Sequence, residues 1–234
     1  MQTVIVAGGW GSRLEAFSKE TAPVLLPIAG RPFIDYLLAR LVSEGIDEVI
    51  LLLDRHADQV EQHVGGGERH HVRIRTFRDG EFPLDVLGSV KQVEDWLEDT
   101  FCLVRGNSYP RVNIRAAVAD LLTRPQPVLM AVQANRDGRY ANDADLNDNV
   151  VGRFDTLSPG LQHEYRFTGL AVLRSTVIEE IRPAAPIGEQ AFYGGLAIDA
   201  RLAAHVADAS SFEITTPETL AHFTDAVARG DIQV

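Results

Sequence analysis

Cysteine is almost missing from this chain. Its 234 residues include one, Cys102, set inside the apolar run FCLV. An internal disulfide is therefore excluded, and the expected state is a buried thiol in a reducing compartment. Basic residues are short as well, 22 Lys and Arg against 33 Asp and Glu, giving a formal charge of −11. No surplus of cations is left to neutralise a nucleic-acid backbone or an anionic membrane, so small molecules and proteins are the expected partners. No apolar run reaches the length of a membrane span, and no basic stretch leads into a signal-like segment. The expected location is the cytoplasm. Low-complexity tracts, solenoid-period repeats and an evident linker are also lacking, so the simplest organisation is one domain over residues 1–234.

What is present is 45% hydrophobic residues, enough for a full core, arranged in alternating patterns. TVIVA (3–7) is a β-rich run that ends on Gly8 and Gly9, and EVILLL (48–53) is a second. Between them Phe33, Tyr36, Leu37, Leu41 and Val42 share one face of a helix expected from about Pro32 to Gly45. Strand, helix, strand in this order is a right-handed crossover in a parallel sheet. Further strands are expected at 71–77, 100–106, 127–134 and 165–173, and helices at 56–64, 86–97, 112–123, 198–207 and 217–230. Such alternation predicts a layered α/β domain with helices on both sheet faces. Residues 135–160 are polar and rich in Asp, Asn and Gly, the composition of a loop or hairpin region.

The stretch Ala7-Gly8-Gly9-Trp10-Gly11-Ser12-Arg13-Leu14 follows the first strand. Its amides are suited to a nest for anionic oxygens, with Arg13 adding charge and a bidentate fork. It has neither the Gly-Lys-Ser/Thr ending of a P-loop nor the spacing of a dinucleotide-binding turn. Glycine turns after strands are also common for steric reasons alone. Trp10 leaves two readings, a stacking surface for a base or sugar and a cap on the core.

AGGWGSRL followed by LPIAGRPFIDYLLARLVSEGIDEVILLL resembles the N-terminal signature of the sugar-phosphate nucleotidyltransferases, and in particular the D-glycero-D-manno-heptose 1-phosphate guanylyltransferase branch. The likeness continues more weakly through PLDVLGSVK (83–91), FCLVRGNSYPRVNI (101–114), FTGLAVL (167–173) and FEITTPETL (212–220). It implies a Rossmann-like three-layer α/β/α nucleotidyltransferase fold with a mostly parallel sheet and a sugar-binding insertion at roughly 135–175. It also implies Mg²⁺ and two substrates, an NTP and a sugar 1-phosphate, whose phosphate oxygen attacks the α-phosphorus and releases pyrophosphate. The resemblance assigns the nucleotide to Ala7, Gly8, Gly9, Trp10, Gly11, Ser12, Arg13 and Gly88, with Arg13 in the catalytic role. It assigns the sugar phosphate to Asn107, Thr168 and Gly169, and the metal to Asn107 and Glu213.

Several charge-handling positions depart from the family pattern. The lysine expected after the loop is Pro23, which offers neither charge nor a backbone donor, although Lys19 lies four residues before it. The first metal aspartate is Asn107 and the second is Glu213. A second lysine corresponds to Thr156, and Asp85 brings a negative charge into the nucleotide loop. Lys91, by contrast, is retained. Three readings follow. The first is transfer of a nucleotidyl group, guanylyl by branch, to a sugar 1-phosphate. The second is a catalytically degenerate regulatory or scaffolding subunit that binds a nucleotide, a nucleotide-sugar or an active relative without turning it over, with a second copy or that relative as partner. The third is an enzyme adapted to a less charged acceptor or a different phosphate geometry, which predicts substitute cations elsewhere in the cleft. His56, His63, His70 and His71 are expected at the surface rather than in a zinc site.

Overall fold

Strand β1 (Gln2–Val6) runs through the middle of the protein, with Val4 packed into one core and Ile5 into another on the opposite side. A small hairpin follows, β2 (Pro27–Ile28) with β3 (Arg31–Pro32), then helix α1 (Phe33–Ser43) and strand β4 (Glu48–Leu53). Strand β4 lies parallel to β1, from Gln2 opposite Glu48 to Val6 opposite Leu52. All six of its residues are buried, because its alternate side chains enter different cores: Val49, Leu51 and Leu53 one, Ile50 and Leu52 the other. A continuous apolar run is what a strand covered on both faces requires.

Helix α2 (Ala57–Val64), strand β5 (Arg73–Arg78), helix α3 (Asp85–Gln92) and strand β6 (Thr100–Arg105) continue the winding. Then come β7 (Ser108–Tyr109), α4 (Ile114–Leu122), β8 (Val128–Ala134), β9 (Ala144–Asn147), β10 (Val150–Phe154) and β11 (Tyr165–Arg174). The chain closes with α5 (Thr176–Glu179), α6 (Glu189–Ile198), β12 (Leu202–Val206), β13 (Phe212–Glu213) and α7 (Pro217–Ala228). This computed structural model describes residues 1–8, 20–54, 56–80, 84–135, 138–182 and 186–232.

Among the described residues, nine strands form one sheet in the order β5-β4-β1-β6-β11-β8-β12-β10-β9. The pairings from β5 to β6 are parallel, as is β8 with β12, while β11 and β10 run against their neighbours. Helices α1, α2, α4 and α7 contribute to the core on one face, and α3, α5 and α6 to that on the other, which makes three layers.

One expected helix is absent. Residues 198–207 were expected to be helical, but 202–206 form β12, an interior strand whose Leu202, Ala203 and Ala204 are buried. Leucine and alanine favour helices in isolation, and burial between β8 and β10 overrides that preference. The helix lies just before it, in EQAFYGGLAI, where the glycine pair hides the signal. Gly194 there packs close to β10: a Cβ would meet Gln190 Nε2 at 2.9 Å and the Phe154 carbonyl at 3.6 Å.

Candidate functional site

The winding goes from β1 out to β4 and β5, and then returns to place β6 on the other side of β1. The two central strands are parallel, Val6 standing opposite Arg105, so both end at the same edge. A crevice outside the carboxyl ends of strands, where the winding changes direction, is where sheets of this kind take ligands. A cleft of about 1360 Å³ opens there. Val6, Gly8, Gly106 and Asn107 line it from the strand ends, Asp85 and Val86 from the start of α3, and Glu189 and Gln190 from the start of α6.

The structure sorts the expected residues. Ala7 is buried, its amide bonded to the Leu52 carbonyl at 2.9 Å. Gly8 reaches the cleft and passes so close to Asp54 that a Cβ would lie 2.9 Å from that carboxyl carbon. Gly9, Trp10, Gly11, Ser12, Arg13 and Lys19 lie outside the described residues. Asn107 and Glu213 both line the cleft. They are brought together by the pairing of β13 with β7, where Glu213 faces Ser108 and the Ile214 amide donates to the Asn107 carbonyl at 2.8 Å. An edge-to-face cluster of Phe33, Tyr36, Tyr109 and Phe212 around Phe223, with ring centroids 5.3 to 5.8 Å from it, anchors both strands.

Three of the residues expected to contact ligand are not among those that line this cleft. Gly88 is buried within α3 instead of forming part of the cleft wall. Thr168 is fully buried, its hydroxyl donating to the Ala131 carbonyl at 2.9 Å. Gly169 has a φ of 84° and sits against Ser108, at a point where the pairing of β11 with β8 shifts register. Both therefore serve the bend of β11, and neither lines the cleft. Lys91 is buried and paired with Glu94. At the position of the second lysine, the Thr156 amide and hydroxyl donate to Gln190 Oε1 at 2.6 and 2.9 Å, a neutral arrangement.

The floor of the cleft holds side chains that the motif reading did not single out. Arg105, the last residue of β6, donates through Nε to the Glu189 carboxylate at 2.8 and 3.0 Å, and through Nη1 to Glu213 Oε1 at 3.3 Å. Its guanidinium lies 4.6 Å from the centroid of the Phe167 ring. The other oxygen of Glu213 is 3.4 Å from Nη2 of Arg166, which is 1% exposed and stacked 3.9 Å from the Tyr140 centroid. Burial works against the Arg105 charge, but Glu189, then Glu213 and Asp143, hold it more firmly protonated than usual. Burial also pushes the carboxyl of Asp143 up to about 6, against the pull of Arg105 and of the hydrogen bond from the Phe167 amide.

These residues do not fit the divalent ion that the family resemblance implies. Asn107 carries no charge, and each Glu213 oxygen already faces an arginine. At about 4 Å and an effective dielectric of about 20, each arginine would oppose a divalent ion by roughly 8 kcal/mol. Among the described residues, the only group of three side chains close enough to share a metal lies elsewhere, at Asp35, His63 and His70. There His63 Nε2 is hydrogen-bonded to Asp35 at 2.6 Å and the Arg69 guanidinium donates to His70 Nε2 at 3.1 Å, so both imidazole nitrogens are in use. These two histidines are part-buried ties between α1, α2 and the turn after α2, not the surface residues expected.

Three layers, with a crevice at the carboxyl ends of the central parallel strands, define the class as a doubly wound α/β protein. The chain belongs to the nucleotidyl transferase family, whose model matches residues 2–140. It is 28% identical over 116 residues to the D-glycero-alpha-D-manno-heptose 1-phosphate guanylyltransferase of Aneurinibacillus thermoaerophilus, covering 49% of this chain and 50% of that protein. It is 27% identical over 151 residues to the glucose-1-phosphate thymidylyltransferase of Streptomyces griseus, covering 64% and 42%. The chain thus spans about half the length of these curated relatives. In fold it matches HddC from Yersinia pseudotuberculosis with a TM-score of 0.80, at 20% identity over 97% of this chain and 99% of that one. A putative glucose-1-phosphate thymidylyltransferase from Bacillus anthracis gives 0.83, at 20% identity over 100% and 96%.

Proposed function

We propose that the cleft binds a nucleoside triphosphate beside a sugar 1-phosphate and that the protein transfers the nucleotidyl group between them, releasing pyrophosphate. The observation that carries this reading is the position of the cleft, at the shared carboxyl edge of β1 and β6 with Gly8 leading into the glycine-rich segment. In this reading the amides of residues 8–12 and the Arg13 guanidinium hold the phosphates. The sugar phosphate lies toward Asn107. The chemistry asks the protein for positioning and for neutralised charge. Guanylyl transfer is the first candidate, supported by the heptose 1-phosphate guanylyltransferases of A. thermoaerophilus and Campylobacter jejuni among the relatives and by the structure of HddC with GMP-PN. The test is pyrophosphate release from the four common NTPs with a panel of sugar 1-phosphates, lost in Arg13→Ala.

A second reading, binding without turnover by a regulatory or scaffolding subunit, is favoured by the neutral side chains at Pro23, Asn107 and Thr156 and by the engagement of Glu213 with two arginines. It predicts thermal stabilisation by nucleotide with no pyrophosphate released under any pairing. Absence of stabilisation by every nucleotide and nucleotide-sugar tested would overturn the first reading and leave only the scaffolding subunit.

A further inference from the structure

We propose that the Arg105 guanidinium occupies the place of a divalent cation in this cleft, so that the floor is charge-balanced by the protein itself and takes its ligand without metal. Arg105 sits directly before Gly106-Asn107, at the end of a parallel strand, and reaches Glu189 and Glu213, which come from the start of α6 and from β13. Two separate segments thus place their charges around one planar cation carried by a third. Its partner Glu213 is shared with Arg166, so the two arginines balance the two glutamates they touch, as one divalent ion would balance two carboxylates, while Asp143 acts on Arg105 only at longer range.

The arrangement is built rather than incidental. Arg166 is fully buried within the apolar strand β11, Nη1 bonded to the Ser211 carbonyl at 3.2 Å and the guanidinium stacked on Tyr140. Arg105 is held over Phe167. A buried cation persists where it is paired and hydrogen-bonded in this way. A guanidinium has five N–H groups, and the bonds to Glu189 and Glu213 use one on each nitrogen. Two remain on the terminal nitrogens of a residue that lines the cleft, available to an anionic oxygen of the ligand. The ligand is therefore a phosphate-bearing molecule received by N–H donors in a fixed plane rather than through a metal's coordination shell.

The inference rests on the family reading of the cleft, but its test needs no nucleotide and can fail while nucleotide binding stands. The measurement is Mn²⁺ binding followed by electron paramagnetic resonance, taking as signal the part removed by Glu213→Gln. In the unaltered protein that part is expected to be nil up to millimolar Mn²⁺. In Arg105→Met, which removes the internal cation and leaves Glu189 and Glu213 unopposed on that side, a Glu213-dependent site is expected, at least tenfold tighter. Arg105→Gln is the second variant should the first not fold. Glu213-dependent Mn²⁺ binding in the unaltered protein would overturn the proposal, as would its absence from a folded Arg105 variant.

Discussion

Replacing Asp143 by asparagine should stabilise the protein at neutral pH and leave it unchanged in acid. Asp143 is 8% exposed, and its carboxyl is raised from an ordinary 3.8 to about 6, by burial first, with Arg105 and the Phe167 amide pulling the other way. A carboxyl raised on folding binds a proton in the native state that the unfolded chain has already released. Its contribution is fully present below about 3.8 and is lost as the pH rises through about 6. Above that, ionised Asp143 costs roughly 3 kcal/mol relative to its neutral form. Asparagine imitates the neutral form and keeps an oxygen for the Phe167 amide, which Asp143 accepts at 2.7 Å. Urea unfolding of both proteins from pH 4 to 8 should show a stability difference near zero at pH 4, growing through pH 6 to roughly 3 kcal/mol in favour of the variant. A difference that does not vary with pH, or a variant less stable at pH 7.5, would refute the reasoning.

Other outcomes follow from the packing. Gly169→Ala places a Cβ 2.2 Å from the Ser108 hydroxyl at a φ of 84°; the backbone and overpacking costs together should lower stability by about 2–4 kcal/mol, read as a fall in Tm. Phe223→Ala removes the ring on which Phe33, Tyr36, Tyr109 and Phe212 converge and should cost about 3–5 kcal/mol in urea unfolding. Burial pushes the Cys102 thiol up to about 12, so a disulfide reagent should label it in denaturant and leave the native protein unmodified at pH 8.

The parallel half of the sheet was legible because its strands are apolar on both faces and its helices show one clear stripe. EVILLL and the Phe33, Leu37, Leu41 series leave little alternative. Strand β12 and helix α6 were not legible, since LAAHV reads as helix and EQAFYGGLAI carries glycines that only packing against β10 explains. At the site, the motifs led to Asn107 and Glu213, which meet through strand pairing over a long chain separation. They led also to Thr168 and Gly169, whose motif serves a bend in β11. Arg105 and Arg166 left a fainter signal. Each is a full charge at or inside an otherwise apolar strand, a placement that demands a partner, but only the folded chain shows that Glu189 and Glu213 supply it.

The most direct measurement is a crystal structure grown with GTP and Mn²⁺, with anomalous scattering used to locate the metal. The account predicts nucleotide density along the turn that leaves β1 at Gly8, the Arg105 guanidinium still on Glu189 and Glu213, and no anomalous peak between Asn107 and Glu213. An empty cleft, or a manganese ion bound to Glu213 with Arg105 displaced, would contradict it.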